Sequence, residues 1–138
     1  MTHDTSPAII RSNPSELGTP PGYSQIVEVN ASRLIFISGQ TALDHNGHLV
    51  GKNDFAAQAG QVFYNLGVAL RDRGCDPSHL VKLTVFLTEM TNLASYRDAR
   101  NRFFASVTPP AAPAVTLIEV SKLYGPDFLI EIEAIAAA

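Results

Sequence analysis

Cysteine is nearly missing from this chain of 138 residues: Cys75 is the only one, so no internal disulfide can form and the fold must rest on its apolar core. Long hydrophobic runs are missing too. No segment approaches the ~20 consecutive apolar residues of a membrane span. The first residues join no basic region to an apolar run as a secretion signal does, so we expect a cytoplasmic protein with no membrane partner. Positive charge is sparse and scattered, with 10 Lys and Arg against 13 Asp and Glu for a net charge of −3, which argues against an extended phosphate-binding surface and a nucleic-acid partner.

Several chemistries lack their motifs. There is no G-x-S-x-G elbow, no G-x-x-x-x-G-K phosphate loop and no dinucleotide fingerprint. His45 and His48 flank the Asn46-Gly47 turn, but no third ligand stands at a recognisable spacing, so no metal is expected there, and nothing calls for a cofactor. Cys75 follows the end of a helix, where the macrodipole disfavours a thiolate, so a reactive nucleophile is not expected.

What is present is a hydrophobic content of 46%, enough for one domain spanning 1–138 with a real core. The first 22 residues, rich in Pro, Ser, Thr and Gly, read as loop apart from a short strand at AIIRS. QIVEVN and RLIFISG read as a hairpin across an Asn-Ala-Ser turn. Asn53 or Asp54 caps a helix whose apolar set is Phe55, Ala59, Val62, Leu66 and Ala69 or Leu70, and Gly74 ends it. HLVKLTVFLTEM alternates as a central strand. Asn92 then caps a second helix carrying Leu93, Tyr96, Ala99, Phe103 and Val107, ended by Pro109, Pro110 and Pro113. AVTLIEV and FLIEIEAIA close the order β-β-β-α-β-α-β-β. That order predicts an α+β fold, a single sheet of about six strands with two helices on one face.

LIEIEAIA, residues 129–136, poses the functional question. Strand alternation puts Phe128, Ile130, Ile132 and Ala134 on one face and Leu129, Glu131, Glu133 and Ile135 on the other. Burying an unpaired carboxylate costs several kcal/mol, so both glutamates must reach water, a partner or a ligand. Two helices cover one face only; the apolar groups on the other predict that the sheet packs on copies of itself. Ser38-Gly39-Gln40 ends a buried strand, where a glycine lets a ligand approach the backbone, although a plain exit to a turn reads the same way. Tyr23 follows Gly22 in PPGYSQ and either covers a pocket or plugs the core. Arg97, Arg100 and Arg102 read as a solvated helix face.

In order along the chain, ISGQ, QAGQVFYNLGVAL, VKLTVFLTEM followed by RFF, and IEV with IEIEAIA resemble the RidA/YjgF family of reactive-intermediate deaminases from Tyr23 onward. The resemblance implies a chorismate-mutase-like fold, a homotrimer with clefts between subunits, and hydrolysis of 2-aminoacrylate-type enamines and imines to 2-keto acids and ammonia. It implies roles for Glu131 in positioning water, Tyr23 on the cleft loop, and Ser38 and Gly39 in binding a small molecule, a carboxylate among the candidates. The family's substrate-clamping arginine falls on Val115, followed by Thr116 and Leu117. Arg97 falls on a cleft-lining asparagine and so offers a cation from another wall. Two further readings accompany it: a ligand-binding or partner-regulating trimer without catalysis, and the ribonuclease or translation inhibitor of the family's older descriptions.

Overall fold

Asp54 starts the first helix: its carboxylate accepts a hydrogen bond from the Ala57 N–H at 3.1 Å, and α1 runs Phe55–Asp72. This computed structural model describes residues 8–138; residues 1–7, the start of the expected N-terminal loop, lie outside the described residues. Phe55, Ala59, Val62, Leu66 and Leu70 are buried along one side of α1, as their spacing predicts. At its end Gly74 adopts φ 73°, and the N–H groups of Gly74 and Cys75 donate to Arg71 and Leu70 carbonyls at 3.0 and 2.8 Å. The second helix, α2 at Leu93–Phe104, follows a 3-10 turn at Met90–Asn92. Asn92 stands at the cap position without a side-chain capping bond, because the preceding turn already returns the Leu93 N–H to the Met90 carbonyl.

The strands are β1 (Ala8–Ser12), β2 (Ile26–Asn30), β3 (Leu34–Gln40), β4 (Leu80–Leu87), β5 (Ala114–Glu119) and β6 (Ile130–Ala137), in the expected order. They form two sheets rather than the single one expected: a four-stranded sheet ordered β3-β6-β4-β5, parallel only between β4 and β5, and an antiparallel β1-β2 pair. The expected β2-β3 hairpin does not form. Arg33 exchanges backbone hydrogen bonds with Ala138 at 2.9 and 3.0 Å, so the link after β2 extends the β3-β6 ladder and commits β3 to β6. Ser24, just before β2, forms an isolated parallel bridge with Ala114 at the other edge.

Both helices lie on one face, where Leu66, Leu70, Leu83, Val85, Leu87, Ile130, Ile132 and Ala134 are buried together. On the opposite face Phe36 is 72% and Leu34 56% exposed. The alternation read from the sequence holds from Ile130 inward, but Leu129 packs against the core and Phe128 meets Tyr124 in a tilted ring contact at 4.7 Å between centroids. Both residues precede the ladder, where period-two alternation has no force.

Gln58, fully buried, fixes this entry to β6. Its Nε2 donates to the carbonyls of Gly51 and Asp127 at 3.0 and 2.9 Å, and its Oε1 accepts from the Leu129 N–H at 2.9 Å. Gln58→Leu leaves the Gly51 and Asp127 carbonyls and the Leu129 N–H, all only partly shielded from water, without this partner, and we expect a loss of about 1–2 kcal/mol in urea unfolding. Among the described residues, no helix is long and apolar enough to cross a membrane.

Candidate functional site

The β3-β6 ladder shifts register between Ile37 and Gln40, so Ser38 and Gly39 lie at an irregularity in the pairing. Glu131 uses that space. Its side chain folds over Gly39 so closely that a Cβ at position 39 would collide with the carboxylate, lying 2.9 Å from Cδ. Glu131 is half-buried, and its pKa is raised, first by the loss of hydration and then by Glu133 on the same face. A carboxyl held in this way is suited to bind and orient a water or exchange a proton with it. Gly39→Ala is expected to displace that carboxylate, so that any hydrolysis relying on it falls by about tenfold or more with Tm changed by only a few degrees.

Two depressions adjoin Gly39 and Ser38. The larger, about 840 Å³, is an open groove between the segment after β3 and α1, walled by Gly39, Thr41, Tyr64, Asn65, Val68 and Tyr124. Asn65 donates to the carbonyls of Thr41 and Leu43 at 3.2 and 2.9 Å, and Thr41 and Tyr124 hydroxyls meet at 2.7 Å. The smaller, about 230 Å³, lies on the outer sheet face between Phe36, Ser38, Lys82, Thr84, Glu133 and Ile135. Lys82 donates there to the Thr116 hydroxyl.

The remaining expected residues gather at the opposite edge of the sheet. Ser24 is buried, its hydroxyl donating to the Ala112 carbonyl at 2.6 Å and its N–H to that of Pro113 at 3.0 Å, which docks the half-buried Tyr23 beside β5. Val115 and Leu117 pack partly buried on the core side, while Thr116 is on the outer side. Thus Ser38, Gly39 and Glu131 come together at the β3-β6 side, and Tyr23 and Val115 stand across β4 from them. Arg97 is exposed and makes no ion pair or hydrogen bond among the described residues.

Arg100 corrects the reading of a solvated arginine face: it is 5% exposed. Its position four residues after Tyr96, within the stripe of Tyr96, Ala99 and Phe103, was the available signal. His45 and His48 are exposed at a turn whose Asp44 Oδ1 accepts from the Asn46 and His48 N–H groups at 2.9 Å; the His48 bond is the main cause of the lowered Asp44 pKa. Among the described residues, no three His, Cys, Asp or Glu side chains form a metal cluster. Cys75 is buried, its thiol directed to the Arg73 carbonyl at 3.6 Å.

The six-strand α+β domain thus seats a carboxylate over a strand-end glycine. The sequence model described as "Endoribonuclease L-PSP" matches residues 14–138. The chain belongs to that family, the Rid or YjgF family. It is 37% identical over 116 residues to protein DfrA of Myxococcus xanthus, covering 84% of this chain and 85% of the relative. It is 34% identical over 114 residues to the 2-iminobutanoate/2-iminopropanoate deaminase of Mus musculus, covering 83% and 79%. A solved structure of the Rid-family protein YyfB from Yersinia pestis superposes with a TM-score of 0.82 at 33% identity, over 96% of this chain and 98% of that one.

Proposed function

We propose that this protein hydrolyses an imine, enamine or related unsaturated metabolite at clefts between the subunits of a homotrimer. The observation that carries this reading is the Glu131 carboxylate seated over Gly39 with its pKa raised. In the proposed cleft Glu131 orients a water toward the imine carbon. Addition of the water gives a carbinolamine, and loss of ammonia leaves the carbonyl product. Ser38 and the Gly39 backbone border the ligand, and Tyr23 approaches from the β5 side of a neighbouring copy. The exposed outer sheet face, with Phe36 and Leu34, supplies the surface on which copies pack. Relatives described as 2-iminobutanoate/2-iminopropanoate deaminases support the reaction type.

Val115 sets the substrate apart. The arginine that the family resemblance places at position 115 clamps a 2-imino acid by two parallel hydrogen bonds, which valine does not make, a loss of about 2–4 kcal/mol in transition-state binding. We expect ammonia release from enzymatically generated 2-iminopropanoate to be about 30-fold or more slower than with the mouse relative, and Val115→Arg to recover part of the difference. Equal rates in the two proteins refute the assignment at Val115. A trimer that binds ligand without turning it over is the second reading, favoured by the same valine; absence of ammonia from every imine in a panel of 2-imino acids and their amides selects it.

A further inference from the structure

A recess of about 600 Å³ opens between α1 and α2, on the helical side of the molecule and away from Phe36 and Leu34. Its floor is apolar: the rings of Phe63 and Phe103 meet at 5.1 Å between centroids, tilted by 34°, and Val107 continues the surface. Two glycines of α1 stand in its wall, Gly60 and Gly67. Glycine inside a helix costs stability relative to alanine, so each position needs a reason. Gly67 has one within the chain. A Cβ there would lie 3.3 Å from Arg71 Nη1 and 3.6 Å from Phe103 Cε1, so glycine lets the guanidinium fold back one turn and lie against the helix beside the ring. Gly60 has none. A Cβ there meets no atom within 4 Å, so its side of the recess is left open by the chain's own packing.

The charge around this floor has one sign to spare. Arg71 comes from α1 and Arg102 from α2, both line the recess, and neither enters an ion pair among the described residues. The carboxylate at the recess, Asp76, is engaged elsewhere: it accepts from the Ser78 N–H at 2.8 Å and from the Ser78 hydroxyl, and lies 3.2 Å from His79 Nδ1. It therefore answers neither arginine. Aromatic rings prefer offset or tilted contact with other rings, and a guanidinium prefers a planar oxyanion. The volume falls within the roughly 300–1,000 Å³ of small-molecule sites, which suits a body of one or two rings better than a peptide helix.

We propose that the recess between α1 and α2 is a second ligand site, for a planar aromatic anion whose rings lie on Phe63 and Phe103 in the space left by Gly60, with its carboxylate or similar oxyanion received by Arg71 and Arg102. Neither Gly39 nor Glu131 lines it, so it is separate from the proposed cleft. It also stays open when copies pack through the outer sheet face, because it lies on the other side of the molecule. A ligand here acts beside the chemistry and not in it.

Calorimetric titration of the full chain with 2-naphthoate, with neutral 2-naphthamide as the control, tests this. Wild type is expected to bind 2-naphthoate with a Kd below about 1 mM and the amide about tenfold or more weakly. Arg71→Gln and Arg102→Gln, both exposed changes, each weaken 2-naphthoate binding by about fivefold or more, whereas Lys122→Gln, an exposed cation outside the recess, leaves it unaltered. Gly60→Leu fills the recess: it abolishes binding without lowering the melting temperature, since leucine is the better helix former. Should Gly60→Leu fail to fold, the two arginine variants decide. Wild-type affinity in either arginine variant or in folded Gly60→Leu, equal affinity for the amide, or no binding by wild type at about 5 mM overturns the proposal. Imine turnover does not enter the test, so the proposed reaction and this site stand or fall separately.

Discussion

Glu131→Gln is expected to lower the proposed imine hydrolysis by about two to three orders of magnitude and to raise the melting temperature at neutral pH. Both effects come from one placement. The carboxylate lies over Gly39, half-buried and beside Glu133, an environment that disfavours its ionised form. Because the folded-state pKa is raised, this group helps the fold only while protonated. Its contribution is present below the ordinary value of 4.5 and is lost as pH rises through the higher folded value. At pH 7 glutamate is therefore less favourable here than the neutral isostere. The gain in Tm shrinks as the pH falls through the raised folded value, and below 4.5 glutamate is increasingly protonated in both states. Thermal melts from pH 4 to 8, paired with ammonia assays, check both halves. A variant that keeps full activity, or a Tm difference that grows as pH falls, is incompatible with this role.

Phe36→Glu is expected to convert the proposed trimer to monomers and to abolish the proposed turnover with it. Phe36 projects from β3 on the uncovered face at 72% exposure, near Leu34 at 56%, and the half-buried Ile135 lines the same depression. Burying one such aromatic side chain is worth about 1.5–3 kcal/mol, and a carboxylate forced into the same contact costs several kcal/mol more. Three copies of the change enter a closed trimer. Light scattering at micromolar concentration measures the mass. A trimer that survives the substitution places the interface elsewhere and detaches Glu131 from it.

The sequence was most legible where period and chemistry agreed. The stripe from Phe55 to Leu70 fixes α1 and its buried side, and Gly74 marks its end. The inward set Ile130, Ile132 and Ala134 is legible for the same reason, as is the outward placement of both glutamates. Strand pairing was less legible. The β2-β3 link looks like a hairpin turn, and only the pairing of Arg33 with Ala138, over a hundred residues away, makes β3 a partner of β6. Local propensity carries no information about such a contact. Gln58 escaped notice because a glutamine inside an apolar stripe has no signature until three backbone groups converge on it. Arg100 was hidden by its neighbours: between Arg97 and Arg102 it resembles surface charge, although its phase on the helix matches Tyr96. Of the candidate site, the grouping of Ser38, Gly39 and Glu131 came from the family resemblance, strand alternation showed only that Glu131 faces outward, and the fold brings Glu131 against Gly39. Their separation from Tyr23 and Val115 by β4 is a tertiary fact.

That separation makes a mixing experiment the most direct test of the proposed inter-subunit site. Glu131→Gln and Tyr23→Ala chains, each expected to be inactive as the proposed homotrimer, are co-expressed in equal amounts, and the mixed assemblies are assayed for ammonia release from the best imine substrate. Clefts assembled from one chain's Glu131 and a neighbour's Tyr23 arise at about a quarter of all positions by random association, so the mixture regains about a quarter of wild-type activity. A mixture no more active than its two parents contradicts a site shared between subunits.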